Sequence, residues 1–518
     1  MVPSQRRWGC ADHARYARCA GAGGLARSAL RESIFANMNG KGRGMGRVLS
    51  VASECVPLVK TGGLADVVGA LPGALAGHGW EMRVLLPAYK SLRPRLKSMA
   101  LVMEEDGLWG GTGRVYFGQM DGLSVYLLDA PYLFDRDGGP YADQGGDHSD
   151  NIQRFAALSW VAARLAREGA AGWKPDVLHA HDWQAGLAPA YLRYHGSGGV
   201  GSVLTIHNIA FQGWASVRML NDLRLPRAEF HSDALEYYGN LSTLKAGLVT
   251  ADRITTVSPN YAEELMRPEF GMGLQGVIAA RAGVVSGILN GVDEGLWSPE
   301  AAAHPYSAAK ISGKAANRAA LCAEFGLEVP GPLAILVSRL TDQKGIDLLS
   351  MAIPAFVAAG GGLAVLGSGD AGLEAAMHAL AAAHPGRVAV RIGYDEGLSR
   401  RMFAGGDAVL VPSRFEPCGL TQMYGLRFGT VPVVSAVGGL ADTVINASPA
   451  ALAAGAATGV VFQPVDGGAL GQALARLVGL YRDQKVWTRV QKTAMRHPVG
   501  WAASAAAYAR LYGEVAGG

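Results

Sequence analysis

Two turns in the second half of the chain carry residues suited to holding an anion. Ser338-Arg339-Leu-Thr-Asp-Gln-Lys344-Gly follows an apolar run, with Arg339 and Lys344 five residues apart across the turn. Both can reach one diphosphate, Arg as a fork of donors and Lys as a point charge. Pro412-Ser-Arg-Phe-Glu416-Pro-Cys418-Gly-Leu-Thr421 links a further apolar run to a helical stretch. A helix beginning near Thr421 would aim the Gly419, Leu420 and Thr421 amides at a phosphate. Glu416 falls where a strand should end. The competing reading of this turn is an ordinary capped helix with a satisfied carboxylate.

The first half has its own set. Lys60-Thr-Gly-Gly-Leu-Ala-Asp66 follows the first apolar run. Gly62 and Gly63 let the backbone approach a ligand, and a helix start at Leu64 would present N–H groups to an anion. Lys60 adds positive charge, and Asp66 can bind a hydroxyl; an ordinary strand-to-helix turn with a solvated lysine fits as well. His181-Asp182-Trp183 and His207-Asn208 each close a strand. In open α/β sheets ligands sit beyond the carboxyl ends of strands. Polar groups there suit a polyhydroxylated ligand, although a single histidine at such a place is more often structural.

Two motifs compete. Gly367-Ser-Gly-Asp-Ala-Gly372, with Asp395 about 20 residues on, fits the dinucleotide fingerprint on paper. Any glycine-rich strand-to-helix turn can fit it, and it leaves the stronger motifs unexplained. The loop holding Asp135, Asp137, Asp143, Asp147 and Asp150 could bind a divalent cation. An EF-hand would need Glu at the twelfth position from Asp135, which is Gly146, so the expectation is solvated carboxylates and no metal.

The elements that must position these residues can be read from apolar periodicity. Runs at 47–52, 82–87, 124–130, 176–181, 202–208, 253–258 and 287–292 predict strands in the first half, and runs at 333–338, 362–367, 388–393, 408–413 and 431–436 in the second. Helical stretches such as Ile152–Arg167 and Gly372–Ala383 lie between them. Alternation of this kind predicts parallel, doubly wound sheets, one in each half. The expected division is an extension over 1–45, a Rossmann-like domain over 46–300 and a second over 301–518, with the last helix packing back on the first domain.

Composition limits the function classes. The chain has 518 residues, 49% hydrophobic and 17% charged, which excludes disorder as its main state. No uncharged apolar run reaches the ~18 residues of a membrane helix, so a soluble protein is expected. The net charge is +4, but residues 1–46 carry eight Lys or Arg against two acids, leaving the remainder at −2. That body has no nucleic-acid footprint. Five scattered cysteines with no CxxC fit a reducing compartment. The arginine-rich start lacks the apolar core of a secretory signal and reads as an extension, or an upstream start ahead of Met38 or Met45; a transit peptide is the alternative.

KTGGLADV, HAHDWQAGL, TIHNIAFQG, LNGVD, SRLTDQKG, and SRFEPCGLTQ with GGLADTV occur in that order over roughly residues 46–500. Together they resemble bacterial glycogen synthase and plant starch synthase. The resemblance implies the GT-B architecture, two Rossmann-like domains facing a central cleft. It implies transfer of glucose from ADP-glucose to the non-reducing end of an α-1,4-glucan, with retention at the anomeric carbon. It implies no cofactor or metal beyond the co-substrate, no membrane partner, and a cytoplasmic location, or a plastid one if residues 1–45 are a transit peptide. By the same resemblance Lys60, Gly62, Gly63 and Asp66 lie near the nucleotide sugar, and Asp182, His207 and Asn290 line the cleft. Arg339 and Lys344 grip the diphosphate, Tyr394 packs on adenine, and Glu416 is the essential carboxylate. Cys418 lies beside it, with the Gly419, Leu420 and Thr421 amides on the distal phosphate. The alternatives are a related transferase using UDP-glucose or a small acceptor, a phosphorylase carrying pyridoxal phosphate, a non-catalytic glucan-binding protein and, least of all, a dehydrogenase.

Overall fold

The computed structural model describes residues 45–516; the readings for residues 1–44 lie outside the described residues. The first half contains β1 (Gly46–Val51), β2 (Trp80–Pro87), β3 (Ala100–Glu105), β4 (Gly113–Met120), β5 (Leu123–Asp129), the short β6 (Ala142–Asp143) and β7 (Gly146–Asp147), β8 (Val177–His181), β9 (Gly201–Ile206), β10 (Trp214–Ser216), β11 (Glu236–Tyr237), β12 (Asn240–Ser242), β13 (Arg253–Thr256) and β14 (Val285–Gly287). Nine of these form one sheet in the order β14-β13-β9-β8-β1-β2-β5-β4-β3. The order reverses at β1, whose neighbours are β2 on one side and β8 on the other. The loops leaving β1 and β8 therefore flank a switch point, where a crevice opens. They are the loops that carry Lys60–Asp66 and His181–Asp182.

The sheet is not wholly parallel, which corrects the expectation. β3, β4 and β5 form an antiparallel meander at one edge. Asp121 and Gly122 join β4 to β5 with φ of +49° and +85°. This is the two-residue turn with both residues left-handed that closes hairpins, so no crossover helix is needed. A second correction concerns the run at 287–292. The strand there is β14 and ends at Gly287, so Asn290 lies in irregular chain beyond the strand end rather than within a strand.

The second half contains β15 (Leu333–Val337), β16 (Gly362–Gly367), β17 (Val388–Ile392), β18 (Ala408–Val411), β19 (Val431–Ser435) and β20 (Val460–Phe462). Their spatial order is β17-β16-β15-β18-β19-β20, and every pairing is parallel. Renumbered from one this is 3-2-1-4-5-6, the dinucleotide-fold order, with its switch point between β15 and β18. β16 and β19 are buried along their full length, which is why both read as unbroken apolar runs.

The chain then returns. The last helix, Ala502–Val515, sends Tyr508, Leu511 and Tyr512 into a core with Val48, Leu71, Leu75, Val177 and Val203 of the first half. Each such side chain removed from water is worth about 1.5–3 kcal/mol. Val292 N–H donates to Val499 O at 2.8 Å, and the Ser504 hydroxyl to Leu289 O at 2.5 Å, so the crossover is also hydrogen-bonded.

Candidate active site

On the second half, Glu416 follows β18 and Lys344 follows β15, on the two strands that flank the switch point. Lys344 Nζ lies 2.5 Å from Glu416 Oε2, and the Ser413 hydroxyl donates to the same oxygen at 2.9 Å. Glu416 is 7% exposed. Two glycines permit this approach. Gly345, at φ +66°, lies against Pro412 O, which an added Cβ would meet at 2.1 Å. Gly438, at φ +43°, backs onto Glu416 O, which a Cβ would meet at 2.0 Å. Arg339 is exposed and has no ion-pair partner among the described residues.

The helix after Glu416 spans Thr421–Phe428, and no side chain caps its start. Its first amides, with that of Gly419 at φ +69°, remain available to an anion. The competing glycine-rich turn differs at this point. Asp370 accepts from Gly372 N at 2.9 Å and Leu373 N at 3.1 Å, filling the start of the helix Ala371–Ala383. The place a dinucleotide phosphate would take is held by the chain's own carboxylate.

On the first half, Asp182 has φ +52°, a left-handed backbone uncommon outside glycine. Its carboxylate accepts from His207 N at 2.6 Å and Asn208 N at 3.3 Å, joining the end of β8 to the end of β9. Burial pushes the Asp182 carboxyl up to about 7, against the lowering effect of those two N–H groups. His181 Nδ1 lies 2.9 Å from His207 Nε2, and His181 Nε2 lies 3.0 Å from the Ser50 hydroxyl. Burial takes His207 down to about 3 and His181 well below its usual value, so both are neutral near pH 7.

Lys60 Nζ pairs with Asp66 Oδ1 at 2.8 Å at the start of the helix Gly63–Ala76. Tyr394 and Glu396 belong to the second half, yet their charges and those of Lys60 and Asp66 act on one another. These groups are therefore close enough to influence one another, and Tyr394 is 76% exposed. Asn290 and Cys418 also meet, the Asn290 backbone N–H donating to the Cys418 sulfur. Burial pushes the Cys418 thiol up to about 12, so it packs as a neutral group. Asn290 Oδ1 is buried without a partner among the described residues. The acidic loop is laced with cations: Asp137 pairs with Lys90, Asp135 with Arg93 and Asp150 with Arg136.

Residues 47–280 match the family described as the starch synthase catalytic domain, and residues 320–492 that of glycosyl transferases group 1. The glycogen synthase of Cereibacter sphaeroides (strain ATCC 17025 / ATH 2.4.3) is 70% identical over 471 residues, 91% of this chain and 98% of that protein. The glycogen synthase of Paracoccus denitrificans is 60% identical over 474 residues, 91% and 100% of the two chains. The chain belongs to the glycogen synthase and starch synthase family. It is a glycosyltransferase of GT-B fold. The catalytic domain of starch synthase IV from Arabidopsis thaliana, solved with ADP and acarbose, superposes with a TM-score of 0.81 at 29% identity, covering 92% of this chain and 100% of that one.

Sequence reasoning missed a further part of this candidate site. Glu54, 3% exposed, accepts from the Thr61 hydroxyl at 2.6 Å, from Gly62 N at 3.1 Å, and from Thr61 N and the Tyr141 hydroxyl. It pins the Lys60–Gly63 loop to the end of β1. Glu54 was visible as an acid in an apolar run, but nothing local shows that its partners lie seven and eight residues on. Tyr141 comes from a loop 87 residues away, and His181, the bridge to His207, was passed over for its neighbour Asp182.

Proposed function

We propose that the chain elongates α-1,4-glucan by transferring glucose from ADP-glucose to the non-reducing end, with retention at C1. The reading rests most on the Lys344–Glu416 pair at the β15–β18 switch point, its carboxylate buried and its lysine half-buried, beside an uncapped helix start. The likeness to a starch synthase solved with ADP and acarbose supports both donor and acceptor classes.

Breaking the glucose–phosphate bond builds positive charge at C1 and negative charge on the leaving ADP. Lys344, Arg339 and the Gly419, Leu420 and Thr421 amides stabilise the leaving charge, and such preorganised donors are often the largest catalytic contribution. Lys60 adds a mobile cation from the opposite wall, beside Asp66 and the Gly62-Gly63 turn. Tyr394 supplies an exposed ring for the adenine. The C1–O bond to phosphate breaks, the leaving phosphate oxygen takes the proton of the acceptor hydroxyl, and the acceptor oxygen bonds to C1 on the same face, which gives retention. Glu416, paired with Lys344, stabilises the cationic carbon without forming an adduct. His207, neutral and with Nε2 engaged by His181, offers Nδ1 to a sugar hydroxyl. Asp182 fixes the His207 backbone, and the buried Asn290 amide oxygen is a ready acceptor for a glucosyl hydroxyl. Closure of the halves excludes water, which would otherwise hydrolyse the donor.

We place the enzyme in the cytoplasm. Among the described residues no helix is long and apolar enough to cross a membrane. The test is nucleoside diphosphate release from ADP-glucose or UDP-glucose at equal concentration, with and without glycogen. Glycogen-dependent release of ADP is expected. Preference for UDP-glucose overturns the donor, and no turnover with either overturns the reaction.

A further inference from the structure

The pentapeptide Gly-Gly-Leu-Ala-Asp occurs twice, at Gly62–Asp66 and Gly438–Asp442. In both copies the first glycine donates its N–H to a buried glutamate, Gly62 to Glu54 at 3.1 Å and Gly438 to Glu264 at 2.9 Å. Glu54 lies in the same half as its turn. Glu264 does not. It ends the helix Pro259–Glu264, which follows β13 of the first half, whereas Gly438 follows β19 of the second.

The contact is reciprocal. Glu264 ends one short helix and accepts from Gly438 N at the start of the other, Gly438–Thr443. Asp442, near the end of that second helix, accepts from Asn260 N at the start of the first, at 2.8 Å. Two short helices, one from each half, thus satisfy each other's first amides. Asn260 Nδ2 steadies the Glu264 carboxylate by donating to Oε1 at 2.8 Å. Glu264 Oε2 is buried with no partner among the described residues. A buried carboxylate with an unused oxygen costs stability, and packing alone would be served better by an apolar side chain.

The use of Glu264 lies one peptide away. Gly439 N donates to Glu416 O at 3.0 Å and to Pro417 O at 3.2 Å. A Cβ added to Gly439 would meet Cys418 O at 2.1 Å. The Gly438-Gly439 peptide is therefore packed onto the backbone of the Glu416–Cys418 turn, and neither can shift alone. Ser258, which caps the other end of the Glu264 helix, grips the same turn directly. Its fully buried hydroxyl donates to Pro417 O at 2.7 Å. Lys344 and Ser413 hold the Glu416 side chain from its own half. Ser258 and Glu264 hold the backbone beneath it from the opposite half. A misplacement of about 1 Å at a reacting group can cost about 10²-fold in rate.

We propose that Ser258 and Glu264 are positioning residues that set the Glu416 carboxylate against C1 from the opposite half of the chain. The inference rests on the role given to Glu416 above. Its test is steady-state kinetics and ADP titration for E264A, E264Q, S258A and E416Q, and for E264A and S258A each combined with E416Q. E264A should lower kcat about 10–100-fold, and S258A about three- to tenfold, the loss of one hydrogen bond. KM for ADP-glucose and the Kd for ADP should stay within about twofold, because Lys344 and the Gly419, Leu420 and Thr421 amides are untouched. E264Q keeps the Oε1 acceptor and should hold kcat within about threefold of wild type. In the E416Q background neither E264A nor S258A should cost anything further, because residues that act through one group are not additive. Losses that multiply in that background overturn the proposal. So does a wild-type kcat in both E264A and S258A, or a loss confined to KM. If E264A does not fold, S258A, which deletes a single oxygen, carries the same comparison. A wild-type kcat in E416Q alone would overturn the role of Glu416 and the inference with it, a failure told apart from the others because it shows before Ser258 or Glu264 is touched.

Discussion

At the carboxyl ends of β8 and β9 the histidines are buried and neutral. At the carboxyl ends of β15 and β18 a buried carboxylate, Glu416, is paired with a half-buried lysine, Lys344, and Arg339 is exposed. His181 and His207 lose their protons to burial, and Asp182 is raised to about 7. Lys344 and Glu416 instead hold each other at 2.5 Å. The difference follows the two parts of the donor. A glucosyl unit presents hydroxyls, which neutral donors and acceptors match without a desolvated charge. A diphosphate presents charge, which cations and helix-start amides must meet.

The largest effect should come from breaking the charged side. Glu416→Gln keeps the shape and a contact to Lys344 but removes the anion beside C1. We expect kcat to fall by about 10²–10³, the usual effect of deleting one preorganised electrostatic group, while KM for ADP-glucose changes little. A kcat within threefold of wild type would refute the assigned role. Lys344→Gln should follow, lowering kcat/KM for the donor by about 10–100-fold, the loss of one charge-assisted contact to phosphate. Isothermal titration with ADP should show weakened binding for Lys344→Gln and near-normal binding for Glu416→Gln, which separates the two roles.

The neutral side makes its own prediction, in stability. Burial takes His179 and His207 down to about 3, and His181 is lowered as well, from an unfolded value near 6.5. Between those values the unfolded chain binds more protons than the folded one, so stability falls as pH falls from about 6.5 towards 3. Asp182 has the opposite sign. Its folded value of about 7 lies above the unfolded one, so its contribution falls as pH rises from about 4 to 7. Three histidines outweigh one carboxyl, and net acid lability is expected. His179→Gln removes one titrating group whose ring Nδ1 faces the Tyr512 hydroxyl at 2.7 Å. The gain in urea-unfolding stability from pH 5 to pH 6 should shrink by about 1.2 kcal/mol. An unchanged slope would mean that His179 is protonated in the fold.

The second half was the more legible of the two. Each of its five predicted strands forms, four of them buried along most of their length and so almost continuously apolar, the fifth, β17, at the edge; only the three-residue β20 escaped notice. The first half hid its edge meander, although Asp121-Gly122 was the signal for a hairpin there. It also hid β10, β11 and β12, which are too short to show a period. Among site residues, those at strand ends could be found because topology says where strand ends go. Glu54 and Tyr141 could not, since their importance lies in a contact between distant segments.

The smallest effect tests what distinguishes a phosphate site from a motif that merely spells one. The turn at Gly367–Gly372 and the turn at Glu416–Thr421 both carry a strand through glycine into a helix. Asp370 occupies the first helix start, while the second is open. Asp370→Ala should cost about 1 kcal/mol of stability, the worth of an N-cap, seen as a lower midpoint in urea at unchanged slope. It should leave kcat and KM for ADP-glucose untouched, because the turn leaves β16, one strand removed from the switch point. A rise in KM for the donor would show that this turn also meets the nucleotide, and the contrast between the capped and the open helix start would then fail as a guide to where the diphosphate binds.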